Sequence, residues 1–286
     1  MGAATALRRP PRPQTIVTAS IPIPDRDQHR RAGGFTLIEI AVALLILTLL
    51  VSAFLVPLQA QVEQRKISET QKILDQAMEA LLGFAAANGR LPCPASSTSN
   101  GAEAFAAGGN ATNGNCLPDA GGYFNGFLPA ATLGFSPVDA SGYALDAWGS
   151  QQNRIRYAIS NNTVNGVTNP FTKAGGMRLA GISNIPGANL LYVCSSSAGV
   201  TASNCGINPN TVTLTSNAPV VVWSLGSNAA TGGTGADEAE NLDGDRIFVW
   251  HTQTGSNAAN GEFDDMVAWM SSNVLLSKMI SAGQLP

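Results

Sequence analysis

Gly33-Gly34-Phe35-Thr36-Leu37-Ile38-Glu39 opens an apolar run of 22 residues that ends at Val56, and Glu39 is its single charge. As a helix rising ~1.5 Å per residue the run covers roughly 33 Å, against a bilayer hydrocarbon core of ~30 Å. The stretch predicts one membrane-length helix over 35–56. A carboxylate in such a helix costs on the order of 2.5–3.5 kcal/mol at the bilayer centre and less near an end. Glu39 therefore needs a cationic partner.

Charge changes sign across the run. Residues 1–34 carry six Arg against Asp25 and Asp27, a net of +4, whereas the remaining 252 residues hold ten basic and seventeen acidic side chains, a net of −7. A basic head before an apolar run keeps the head cytoplasmic and exports the chain beyond the run. The acidic remainder argues against a nucleic-acid partner, which needs a basic surface. With 44% hydrophobic residues in 286 the chain can bury an ordinary core, and 12% charged residues with 30 Gly point to a loop-rich exported domain.

Cys93, Cys116, Cys194 and Cys205 all fall on the exported side. None forms a Cys-x-x-Cys pair, and His251 is the one histidine beyond the head, so zinc is not expected. An even number in an oxidising compartment reads as two disulfides. Of the three pairings the local one, 93–116 with 194–205, is the expected one, and loop closure contributes roughly 3 kcal/mol per bridge in the chain-entropy model.

Enzymatic motifs are missing: there is no Gly-x-Ser-x-Gly elbow, phosphate loop or His-Glu-x-x-His. His251 is expected as a surface residue in the middle of a strand at 246–251. Asp264 and Asp265, if adjacent on a strand, point to opposite faces and cannot converge on one bond. No catalytic residue is assigned.

Three readings of the N-terminus compete. An ordinary secretory signal would be cut near Val51-Ser52-Ala53, but the run is long for a signal core of ~7–15 residues. A plain uncut anchor fits the length. Both leave Glu39 unexplained. The third reading rests on resemblance: Gly33-Gly34-Phe35-Thr36-Leu37-Ile38-Glu39 resembles the cleavage and methylation motif of type IV prepilins and type II secretion pseudopilins. That resemblance implies cytoplasmic-side cleavage between Gly34 and Phe35 by an aspartyl membrane peptidase, then N-methylation of Phe35. Glycine before the cut lets the backbone approach a protease closely, having no Cβ. It implies further that Glu39 meets the Phe35 amine of a neighbouring subunit, with other pilins or pseudopilins and an inner-membrane assembly platform as partners. The place implied is the bacterial inner membrane, N-terminus in the cytoplasm and C-terminal domain in the periplasm, and then a filament. The competing class is a membrane-anchored periplasmic binding module or hydrolase that shares the anchor alone.

Beyond Val62 the pattern turns amphipathic: Leu74, Ala77, Met78, Leu81, Leu82 and Ala85 follow one helical face. Asn88-Gly89 with Pro92 beyond is a C-terminal stop. The two runs predict one helix of about 54 residues, ~80 Å long. Pro57 between them predicts a kink or local melting, read equally as a bend at the membrane surface or as a break that lets subunits pack.

Strands are expected at 154–159, 190–194, 211–214, 219–225 and 246–251, with a strand and then a helix over 266–284. Asp146-Ala147-Trp148-Gly149 is similar to a turn of major pseudopilins, which usually have Pro where Ala147 stands, and Trp148 is expected as a core anchor. Residues 237–245 hold five carboxylates in nine positions, followed by Asp264-Asp265. Such hard oxygens on a Gly-rich loop suit calcium, although the EF-hand template fails because Arg246 stands where glycine is needed. The resemblance implies a calcium loop here, after a turn comparable to Ser224-Leu225-Gly226. The expected ligands are Asp237, Asp243, Asp245 and Asp265, against the plainer reading of a solvated acidic loop that caps its own turns.

The expected architecture is α+β and pilin-like, one long N-terminal helix packed on a C-terminal antiparallel sheet with long loops. Its parts are a leader over 1–34, a transmembrane or filament-core half over 35–56, an amphipathic half over 57–89 and an exported domain over 90–286. The resemblance is tightest over 33–56 and looser over 91–157 and 224–286, and the Asn/Gly/Ala insertions between fall outside it.

Overall fold

The computed structural model describes residues 34–117, 123–207, 211–233 and 235–286, and for 52–58 the helical backbone without the side chains. Two units are distinguished, Met1–Leu55 and Val56–Pro286, and each is described by itself.

The first unit is helical from Leu37, the start of α1 (Leu37–Asn88). Its apolar side chains are bare: Phe35 is 78% exposed, Leu37 87% and Ile38 72%. Among the described residues no helix is long and apolar enough to cross a membrane. Within the apolar run, side chains are described only as far as Val51, so the expected span to Val56 continues outside the described residues. Pro57 and the kink expected there also lie among the side chains not described, inside the bounds of α1.

In the second unit, α1 buries the predicted face. Leu74, Ala77, Leu81 and Ala85 are fully buried, Leu82 nearly so, and Met78 packs at the margin. The helix stops at Asn88 because Gly89 turns left-handed (φ 68°), its N–H returning to the Ala85 carbonyl at 2.9 Å. A Cβ on Gly89 would stand 2.9 Å from Gln284 Oε1, and Gln284 donates from Nε2 to the Ala86 carbonyl at 3.0 Å. The C-terminus thereby caps the helix end.

That helix face packs on a four-stranded antiparallel sheet in the order β1 (Tyr123–Phe127), β2 (Arg156–Ser160), β5 (Val220–Ser224), β7 (Met266–Met270). Alternation divides the sheet's two faces. Phe124, Ile159, Val220 and Met270 align toward α1 and toward α5 (Ser272–Ser281), which adds Leu275, Leu276 and Met279. Ala158, Val221, Trp223 and Val267 face a second sheet of order β4 (Thr213–Ala218), β3 (Leu191–Cys194), β6 (Ile247–Val249). Its Leu191, Val193 and Phe248 close that layer, with Phe248 5.0 Å from the Trp223 ring.

The α+β class therefore stands, and the single antiparallel sheet is corrected to two sheets, with β3 and β6 parallel. A parallel pair requires a crossover, supplied here by β4, β5 and α4 (Ala236–Glu240). β1 was not signalled by the sequence because Tyr-Phe-Asn-Gly-Phe mixes strand formers with Asn and Gly, yet it pairs β2 over five residues. β6 ends at Val249, so His251 stands outside the strand expected to hold it. α2 (Ala130–Leu133) and α3 (Gly176–Ala180) are single turns in the loops.

Cysteines 93 and 116 are joined with Cα atoms 5.4 Å apart, and 194 and 205 with 5.6 Å. Beside the first bridge, Arg90 forms a two-pronged ion pair with Glu103 at 2.7 and 2.8 Å, between the Phe84 and Phe105 rings. Glu103 also accepts the Cys93 N–H at 3.1 Å, so the pair fastens the chain leaving α1 to the bridged loop.

Candidate functional site

Two places hold the residues singled out by the sequence. The first is the head of α1. Thr36 precedes the helix and Glu39 is its third residue, the spacing of a capping box. The Glu39 N–H donates to Thr36 Oγ1 at 3.3 Å, and the Thr36 N–H donates to Glu39 Oε2 at 3.4 Å. Glu39 thus has a partner within its own chain, which the membrane argument alone had not found. The signal was present: Thr-x-x-Glu before an apolar run is a helix-start signature.

Gly34 is different. Its φ is not in the left-handed region, and a Cβ built on it meets nothing within 4 Å. Nothing in the described chain requires glycine at this position.

The second place is the acidic loop between β5 and β7. The four expected ligands do not come together. Asp243 and Asp245 group with Glu240, Asp265 groups with Glu238 and Asp264, and Asp237 joins neither. In each group one oxygen per carboxylate lies within 4.8 Å of the others. Asp264 and Asp265 do converge, contrary to the opposite-face expectation, because they precede β7 in irregular backbone where alternation does not hold.

Asp237 lies in the first turn of α4, as its second residue, and is 3% exposed. Its Oδ1 accepts the Ser197 N–H at 2.6 Å and the Ser197 hydroxyl at 2.7 Å, and its Oδ2 meets His251 Nε2 at 3.1 Å. Burial raises this acid, but the Ser197 donors, Asn260 and His251 outweigh burial and hold it below the usual carboxylate range. The His251 ring stacks on Phe263 at 3.9 Å, with Nδ1 2.7 Å from the Thr252 carbonyl. Serine and imidazole here both address the carboxylate rather than each other, so this trio lacks the nucleophile–base contact of a hydrolytic triad.

Asp243 caps Asp245, whose Oδ1 accepts the Ile247 N–H at 2.7 Å and so opens β6. Burial, followed by repulsion from Asp243 and Asp245, pushes Glu240 up to about 7. Asp264 is raised to about 6 by burial, with Glu238 adding to it against donation from Ser227 and Asn228. Asp265 is raised well above its ordinary value, first by burial.

Upstream, the Asp146–Gly149 turn is built on one buried carboxylate. Asp146 Oδ1 accepts the Trp148 N–H at 2.9 Å, while Oδ2 accepts Asn153 Nδ2 at 2.9 Å and the Ser224 hydroxyl at 2.5 Å. The Ala147 N–H reaches Thr70 of α1 at 3.1 Å. Trp148 is half-buried at the margin of the helix-facing core rather than at its centre. Asn153 also donates to the Gly226 carbonyl at 2.6 Å, which couples this turn to the acidic loop. Gly226 has φ +65°, and a Cβ there would collide with the Asp264 carboxylate, so this glycine is required.

The class defined is a helix-and-sheet protein with a capped, apolar N-terminal helix. Residues 29–55 match the family model of the prokaryotic N-terminal methylation motif. This is the prepilin-type motif, and it supports the type IV pilin and pseudopilin family for this chain. The match ends at 55, so the N-terminal segment carries the assignment. No curated protein and no solved structure matches the chain.

Proposed function

We propose that the chain is a prepilin-like structural subunit, cut between Gly34 and Phe35 by a prepilin peptidase, methylated at Phe35, and assembled into a type IV pilus or a type II secretion pseudopilus. The carrying observation is the methylation motif over 29–55, set around a Gly34 that nothing among the described residues requires to be glycine. Bare apolar side chains from Phe35 to Val51 support the same reading, since they need lipid or neighbouring helices. In this reading Phe35–Val56 anchors the protein in the inner membrane, the sheet domain faces the periplasm, and the work is mechanical rather than catalytic.

The test is N-terminal sequencing and mass analysis of the exported protein. A methylated Phe35 terminus is expected. An intact leader, or a start at Phe54, returns the chain to the membrane-anchored binding module or hydrolase.

A further inference from the structure

Glu238, Asp264 and Asp265 bring one carboxylate oxygen each to within 4.8 Å of the others, and the three residues are 1%, 8% and 4% exposed. Of the ligands expected from the sequence, this trio contains Asp265 alone. Glu238 comes from α4, and the two aspartates from the irregular backbone before β7. Like charges held this close and out of water repel, and positive charge beside them is needed to offset that. Arg156 acts on Asp265, yet it offsets less than either Glu238 or Asp264 adds there.

Two further oxygens at this place are left over. Asp264 Oδ2 accepts the Ser227 N–H at 2.8 Å, the Ser227 hydroxyl at 2.6 Å and the Asn228 N–H at 3.1 Å. Asp264 Oδ1 is buried and has no hydrogen-bond partner among the described residues, and the same holds for Asn228 Oδ1. A buried acceptor without a donor costs about 1–3 kcal/mol, so two at one place call for an occupant. The Asn228 amide nitrogen lies across both Glu238 oxygens at 2.9 and 3.1 Å. A half-turn about the last side-chain bond puts the amide oxygen there instead, which a cation between the oxygens makes favourable. Two glycines keep the carboxylates accessible: a Cβ on Gly226 would collide with Asp264 Oδ1, and one on Gly233 with Glu238 Oε2.

We propose that Glu238, Asp264 and Asp265, with Asn228 turning its side-chain oxygen inward, hold a calcium ion that ties α4 to the start of β7. Calcium takes 6–8 hard oxygen ligands in flexible geometry, which suits carboxylates set on a short helix and an irregular loop. The site does not rest on the filament reading.

The test uses full-length protein in detergent micelles, carrying Asp243→Asn so that the Glu240–Asp243–Asp245 group does not report. This parent is stripped with EGTA, dialysed and titrated with calcium chloride by calorimetry, and its thermal unfolding is followed with and without calcium. Saturable binding at one site and a higher Tm with calcium are expected. Glu238→Gln should weaken binding at least roughly tenfold, and Asn228→Asp, which adds a charged ligand, should tighten it about as much. Absence of binding and of a Tm rise in the parent overturns the proposal, as does undiminished binding by Glu238→Gln. Should Glu238→Gln not fold, Asn228→Asp decides, and an affinity no tighter than the parent's overturns it.

Discussion

The Ser224 hydroxyl donates to Asp146 Oδ2 at 2.5 Å, across 78 residues of sequence, and both residues are buried. Ser224 ends β5, and Asp146 organises the turn that also touches α1 through Ala147 and Thr70. Helix, turn and central strand are therefore joined at one carboxylate. Burial raises the Asp146 acid despite its donors, so each lost donor leaves a costly group less satisfied.

Ser224→Ala is accordingly expected to destabilise the sheet domain by about 1–3 kcal/mol, read as a lower urea midpoint with unchanged m-value. An unchanged midpoint would show that the turn holds without this link.

Arg90→Met should cost about 3–5 kcal/mol, because it leaves Glu103 charged in a site where the paired side chains are only 8% and 17% exposed. The double variant Arg90→Met with Glu103→Gln should recover part of that loss, and urea titration of the four proteins gives the coupling.

Glu240→Gln tests the acidic surface by pH. The group titrates near 7 in the folded protein and near its ordinary value of 4.5 when unfolded. The native state therefore binds the extra proton between these values, and stability falls as pH rises from about 4.5 to 7. Glu240→Gln lacks this contribution. Its urea midpoint should exceed the wild-type value most at pH 7.5 and approach it at pH 4.5.

Glu39 caps its own helix and, in the proposed function, also pairs with a neighbour's amine; one pair of substitutions separates the two. Gln retains the reach of a capping box, whereas Ala removes it, and both remove the charge. If pairing with a neighbour's amine governs assembly, Glu39→Gln and Glu39→Ala fail alike while leader removal continues, as read by cross-linking and immunoblot. Normal assembly of Glu39→Gln would assign the residue to helix capping.

Gly34→Ala should leave the Tm unchanged, since the added Cβ meets nothing within 4 Å among the described residues, yet abolish leader removal. A processed Gly34→Ala protein would argue against peptidase recognition at this glycine.

Much of the fold was legible in residue patterns of one element. The amphipathic face of α1, its stop at Asn88 and the cores of β2, β3 and β5 all follow from local periodicity and turn chemistry. β4 begins later than expected and extends through Thr215, Ser216 and Asn217, because an exposed edge strand need not be apolar. The acidic loop was legible as composition but not as geometry. Which carboxylates Asn228, Asn241 and Asn260 meet depends on β5, β6 and β7 being brought together.

Sequence by itself determined the apolar run, its lone acid, the Gly-Phe junction and the helical face, because hydropathy and 3.6-residue periodicity are properties of neighbours in the chain. Tertiary structure alone decided the second sheet with its parallel pair, the Asp146–Ser224 link and the partners of each buried carboxylate. Those contacts join residues tens of positions apart, and burial, which makes an unpaired acid costly, exists only once the layers have closed.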